Sequence, residues 1–170
     1  MAVSPFDGPP ADALYGDPEI AALFAGPAEV RAMLAVEGAL AAAQGRLGII
    51  PAESAAAIAR AAAEVEIDPA ALAAGMAGAG VPVAALVKAF RAALGPEHGA
   101  WLHWGATSQD IVDTGLVLRL RDGLGILDDR LARLVGGLAA QAGRHRETAI
   151  AARTRYQIAT PTTLGAKIAA

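Results

Sequence analysis

Residues 101–138 read WLHWGATSQDIVDTGLVLRLRDGLGILDDRLARLVGGL, and this stretch decides the fold. Within it Val117, Leu120, Leu124, Leu127, Leu131, Leu134 and Leu138 follow one another at alternating steps of three and four residues. That is a sustained heptad seam, the pattern of a helix lying along a helical partner. Thr107 and Asp110 ahead of it fit a capping box, the threonine hydroxyl accepting from first-turn amides while Asp110 reaches back. A helix from Ser108 to about Arg144 is roughly 55 Å long at 1.5 Å per residue. Ile111, Val112, Leu116 and Leu118 add apolar surface beyond the seam. A helix with more than one apolar face cannot cover itself within 170 residues. It implies a bundle, and one shared with other subunits.

Working back from this helix, the chain is punctuated by proline and glycine. Asp17-Pro18-Glu19 offers an N-cap, a proline at the first helical position and an acid in the first turn. A longer helix opens at Pro27 and stops at Gly48, with Met33, Val36, Leu40, Ala43 and Leu47 as its apolar stripe and Glu37 and Gln44 close by. The spacing reads Glu37 as a partly solvated or paired structural acid more readily than a functional one. Pro51 starts another helix to about Ala63, Asp68-Pro69 a weak one, and Pro82 one that Gly95-Pro96 breaks. Residues 1–16, with Pro5, Gly8, Pro9, Pro10 and Gly16, read as an irregular arm. Beyond the long helix, Thr148 to Ala159 reads as an extended connection. Thr160-Pro161-Thr162-Thr163 then starts a helix carrying Lys167.

Composition removes several classes of function. There is no cysteine, hence no disulfide framework and no thiolate metal site. His98, His103 and His145 lack carboxylate partners at ligand spacing, so no metal is expected. A formal charge of −3 without a basic run argues against nucleic acid as a partner. Residues 69–87 are uncharged and long enough for a membrane span, but Gly75, Gly78, Gly80 and Pro82 leave too little hydrophobicity. The N-terminus shows no signal peptide. The expectation is an all-α, soluble, cytoplasmic protein.

Two clusters carry the chemistry. His103, Thr107 and Ser108 sit at the start of the long helix, where unpaired amides and the helix dipole favour an anion. Arg153, Thr154, Arg155 and Gln157, with Lys167 beyond, supply cations, a hydroxyl and an amide. Arginine suits bidentate carboxylate contacts, and one imidazole titrates near neutrality. The inventory fits a small polycarboxylate substrate. Spacing alone favours reading Thr107 as an ordinary cap and allows the arginines to be surface charge. There is no glycine-rich phosphate loop and no nucleophile elbow.

The run His103-Trp104-Gly105-Ala106-Thr107-Ser108-Gln109-Asp110-Ile111-Val112-Asp113-Thr114 resembles the first signature region of the fumarase/aspartase superfamily, in particular its adenylosuccinate-lyase-like branch. Arg153-Thr154-Arg155-Tyr156-Gln157, followed by Pro161 to Lys167, is similar to the second region. Ser4-Pro5-Phe6-Asp7, Gly16-Asp17-Pro18-Glu19-Ile20 and Met33-Leu34-Ala35-Val36-Glu37 narrow the resemblance to the family of bacterial 3-carboxy-cis,cis-muconate cycloisomerases. The resemblance implies an N-terminal helical domain over 1–105 and, over 106–170, the start of a central helical-bundle domain. It implies a homotetramer whose active sites draw on three subunits, and cofactor-free, metal-free closure of a γ-lactone in aromatic catabolism. Carried over by position, Thr107 and Ser108 bind one substrate carboxylate, and Thr154 and Gln157 another. Arg153 and Lys167 add substrate-binding charge, and His103 and Arg155 are the catalytic candidates.

Two departures qualify that picture. Lyases of the adenylosuccinate type carry a histidine, taken as the general acid, where this sequence has Arg155. An arginine stays charged and is a poor proton donor at neutral pH. The superfamily's third region, a Gly-Ser-Ser loop bearing the serine assigned as base, lies beyond Ala170, so the sequence reads as truncated and incomplete as an enzyme. The alternatives are an adenylosuccinate or argininosuccinate lyase and a non-catalytic helical oligomerising fragment.

Overall fold

A computed structural model describes residues 9–170. Their order is α1 (Pro9–Tyr15), α2 (Pro18–Leu23), α3 (Gly26–Arg46), α4 (Ala52–Glu64), α5 (Pro69–Ala79), α6 (Val83–Gly99), α7 (Ser108–Arg144), β1 (Ala149–Ile150), β2 (Thr162–Thr163) and α8 (Leu164–Ala169). The architecture is all-α apart from one two-stranded antiparallel pairing. The chain forms two compact units, one ending at Gly123 and one beginning at Leu124.

The first unit is built on α3 against α4, which meet through glycine and alanine. A Cβ on Gly38 would lie 2.8 Å from that of Ala62, and one on Gly45 only 2.4 Å from that of Ala55. As α3 advances from 38 to 45 its partners on α4 run back from 62 to 55, so the two helices are antiparallel. Leu47, Gly48 and Ile49 make the turn between them. Gly48, at φ 69°, closes a Schellman cap in which the Ile49 N–H donates to Gln44 O and the Gly48 N–H to Gly45 O. Arg31 ties the far end, donating to the carbonyls of Ala62, Ala63 and Val65 where α4 finishes. A cation there also suits the negative end of the helix dipole. Met33, Leu34, Ile58, Leu86, Phe90, Leu102 and Ile111 form the buried core, drawn from α3, α4, α6, the turn after α6 and the start of α7.

The first part of α7 packs through a face other than its leucine seam. Ile111, Gly115 and Gly123 are its buried residues. Gly115 lies over the α3 backbone at Ala32 and Met33, and Gly123 beside Ile20, Leu23 and Phe24. Arg119, on the same face, stacks its guanidinium 5.7 Å from the Phe24 ring centre. The seam is left open: Val117 is 59 % exposed, Leu124 63 % and Leu131 58 %.

In the second unit a hairpin rises between α7 and α8. Ala149 pairs with Thr163 and Ile150 with Thr162, and an isolated bridge joins Arg153 to Ile158. Gly165 lets α8 settle on the end of α7, because a Cβ there would come within 2.5 Å of Ala142 O and 2.8 Å of the Arg146 Cα. Its N–H donates to His145 O at 2.8 Å.

Three expectations change. Pro9–Tyr15 is helical rather than part of an irregular arm; proline at a helix start sacrifices only an N–H that would be unpaired there anyway. The stretch from Ser4 to Asp7 lies outside the described residues. The segment after Thr148 is extended but folded back on itself. Thr162 and Thr163 belong to that hairpin, so α8 begins at Leu164, with the Thr163 hydroxyl accepting from the Ala166 N–H. The Gly95-Pro96 break is present as a kink, Gly95 adopting φ 76° within α6.

Candidate functional site

The turn from Trp101 to Gly105 delivers the chain from α6 to α7, and its geometry is tightly specified. Leu102 is anchored in the core. Arg91 of α6 donates through Nη2 to Leu102 O at 2.9 Å, and Gln44 of α3 through Nε2 to Trp104 O at 2.7 Å. The rings of Trp101 and Trp104 lie 4.9 Å apart, tilted by 49°. His103 adopts φ 61° and Gly105 φ 69°. A left-handed conformation is easy for glycine and costs other residues about 1 kcal/mol or more. Between these anchors, His103 Nδ1 lies 2.6 Å from Oε1 of Glu37.

Glu37 is only 1 % exposed. Its Oε2 has no hydrogen-bond partner among the described residues, and nor does the buried Oε1 of Gln44. Burial pushes the Glu37 carboxyl above its ordinary value of 4.5, opposed by the hydrogen bond from His103 and the charges of His103 and Arg91. The expected structural acid is therefore paired and not partly solvated, and its partner is not one the sequence names. The only signal available was an acid next to an apolar helical stripe, which gives burial and not its counterpart 66 residues away.

Thr107 caps α7. The Asp110 carboxylate accepts from the Thr107 N–H at 2.9 Å, the return half of the expected capping box. Thr107 is exposed and Ser108 partly so, both at the end of the helix where unpaired N–H groups collect. A cavity of about 440 Å³ lies behind this turn, lined by Val36, Leu40, Gln44, Trp104, Asp110 and Thr114 among others. His103, Thr107 and Ser108 do not line it. A second cavity, of about 680 Å³ beside Arg31, Glu64 and Asp68, involves none of the candidate residues.

The second cluster belongs to the hairpin and α8. Thr154 closes the hairpin tip: its N–H donates to Gln157 O at 2.9 Å, and its hydroxyl donates to the same carbonyl and accepts from the Gln157 N–H. Arg155 and Tyr156 occupy the tip, the guanidinium 5.1 Å from the Tyr156 ring centre. Arg153, Thr154, Arg155 and Gln157 are all exposed, as is Lys167 on α8. Thus three candidates fall in the unit ending at Gly123 and five in the unit beginning at Leu124. Among the described residues no group of three or more histidine, aspartate or glutamate side chains is placed to hold a metal ion, and no helix is long and apolar enough to cross a membrane.

A family model described as a lyase matches residues 9–170. The chain belongs to the lyase family. The chain is 44 % identical over 161 residues to the 3-carboxy-cis,cis-muconate cycloisomerase of Pseudomonas aeruginosa, covering 93 % of the chain and 35 % of that protein. It is 39 % identical to the adenylosuccinate lyase of Methanothermobacter thermautotrophicus, over 94 % of the chain and 36 % of the relative. Among solved structures, the 3-carboxy-cis,cis-muconate lactonizing enzyme of Pseudomonas putida superposes with a TM-score of 0.87 at 40 % identity, covering 93 % of the chain and 36 % of that structure. The chain therefore spans little more than a third of the relatives it matches. The fold is that of the fumarase/aspartase superfamily, as the resemblance of the two signature regions implied.

The raised Glu37 carboxyl has a consequence for stability. An acid titrating higher in the folded than in the unfolded chain contributes stability that is present below its unfolded value, near 4.5, and is lost as pH rises through its folded value. Urea midpoints of the wild-type chain should therefore fall relative to those of Glu37→Gln as pH is raised from 4.5 towards neutrality. Parallel midpoint curves would show that Glu37 titrates alike in both states.

Proposed function

We propose that this chain carries the first two signature regions of a cytoplasmic 3-carboxy-cis,cis-muconate cycloisomerase, acting on a small polycarboxylate. The observation that carries this reading is Arg155, a permanent cation held at the exposed tip of a hairpin closed by Thr154 and Gln157. In lactonisation a substrate carboxylate oxygen bonds to a carbon of the double bond. The electron pair moves toward the second carboxylate as an aci-carboxylate, and a proton drawn from the aqueous medium is then added to the carbon beside it. A fixed cation lowers the energy of that developing charge without supplying the proton. Thr107, Ser108 and the first amides of α7 would bind one carboxylate, Thr154, Gln157 and Arg153 another, with Lys167 adding positive charge. His103 is the candidate for direct interaction with the substrate.

An adenylosuccinate-type lyase is the second reading, favoured by the 39 % identity to such an enzyme. Arg155 argues against it, since a guanidinium does not give up a proton near neutral pH. In the proposed protein, residues 1–105 form an N-terminal helical domain and 106–170 open the central bundle. The exposed seam of α7 would join copies of the chain, up to the tetramer expected of the family.

Replacing Arg155 with alanine should weaken binding of 3-carboxy-cis,cis-muconate by about 10- to 100-fold, the range for losing a charged hydrogen bond of about 1.5–3 kcal/mol. Unfolding free energy should change by less than about 0.5 kcal/mol, as for other exposed positions. Calorimetry and urea unfolding check the two; unchanged affinity would remove Arg155 from the site. Sedimentation at micromolar concentration should show self-association, lost when Leu124 and Leu131 are changed to lysine. A folded wild-type monomer would contradict the role given to the seam.

A further inference from the structure

Glu37 and His103 are each in a position where another residue would be easier to accommodate. His103 is the only non-glycine with a positive φ among the described residues, where glycine would fit without steric cost. Glu37 is an enclosed carboxylate with one oxygen on the imidazole and the other unpartnered among the described residues. Burying a charge this way is costly unless it is paired. Fastening the turn does not require the pair. Leu102 is in the core, and Arg91 and Gln44 hold the carbonyls of Leu102 and Trp104, one on each side of His103. Strain concentrated at one residue beside a fastened turn points to a functional use of that residue.

That use follows from donor and acceptor rules. An ionised carboxylate only accepts, so a 2.6 Å contact with Nδ1 keeps a proton on that nitrogen. The ring is then left with Nε2, which has no hydrogen-bond partner among the described residues. The charged groups facing the turn are Glu37 from α3, Arg91 from α6 and Asp110 from α7, and of these Glu37 alone bonds the ring. We propose that Glu37 is a positioning residue that acts through His103, holding the ring by Nδ1–H so that Nε2 is its single point of proton exchange with a bound polycarboxylate. When Nε2 is protonated against such an anion, Glu37 balances the charge of the ring. The ligand half of this inference rests on the functional reading above; the state of the ring does not.

Long-range 1H–15N spectra of the imidazole rings test it on the whole chain. In the wild type, wherever Glu37 is ionised, Nδ1 of His103 should keep its proton and the neutral ring should be the Nδ1–H form. In Glu37→Gln the neutral ring should redistribute towards the Nε2–H form. A wild-type ring that releases its proton from Nδ1 overturns the proposal without need of a variant, and so does a folded Glu37→Gln with an unchanged tautomer. Titration with 3-carboxy-cis,cis-muconate then separates the two readings. Binding weakened about tenfold in Glu37→Gln, the scale of one lost hydrogen bond, is the expected result. Equal affinity in both proteins overturns the ligand half of the proposal. A wild-type chain that keeps Nδ1 protonated but binds no tricarboxylate overturns the functional reading alone.

Discussion

The 2.6 Å contact between Glu37 and His103 is where the packing of the first unit meets the turn into α7. A carboxylate as buried as Glu37 must find a donor, and the donor it finds is in the turn that leads into α7. Glu37 reaches that contact from α3, which lies close against α4 at Gly38 and Gly45. The contact requires the turn to come down onto α3, which Leu102, Arg91 and Gln44 bring about. Packing, backbone conformation and the state of the imidazole are thereby linked in one small region. The start of α7, with Thr107 and Ser108, follows directly from it in the chain.

The long helix serves two purposes with two faces. Ile111, Gly115 and Gly123, with Arg119 over Phe24, form the face that belongs to the first unit. Small residues there let α7 approach α3 closely at Met33. The leucine seam occupies another face and stays open through both units. A seam of this length is an unusual amount of apolar surface to leave exposed, and it is the physical ground for proposing that copies of the chain associate.

Much of this was legible in the sequence, for identifiable reasons. Helix starts at Pro18, Pro27 and Pro69 carry local signals, and α2 and α5 use Asp17 and Asp68 as side-chain caps as their sequences suggest. The heptad repeat fixed α7 almost to the residue. The motif at 103–114 and the hairpin run at 153–157 placed the chain in its family. The pairing of Glu37 with His103 was not legible, because it joins residues remote in sequence and depends on the α3–α4 packing. The hairpin was hidden as well. Its strands are two residues each, too short for any alternation of polar and apolar residues to appear. Gln44 illustrates the same limit: its partner is a backbone carbonyl, and no residue type announces that.

Backbone amide spectra recorded while 3-carboxy-cis,cis-muconate is titrated into the chain bear most directly on the central claim, that the pinned turn and the hairpin tip are built for carboxylates. Perturbation should be concentrated at His103 to Gln109 and at Arg153 to Gln157, with the amides around the cavity beside Arg31 unmoved. Shifts confined to that cavity, or an absence of shifts at both clusters in a well-folded protein, would contradict that claim.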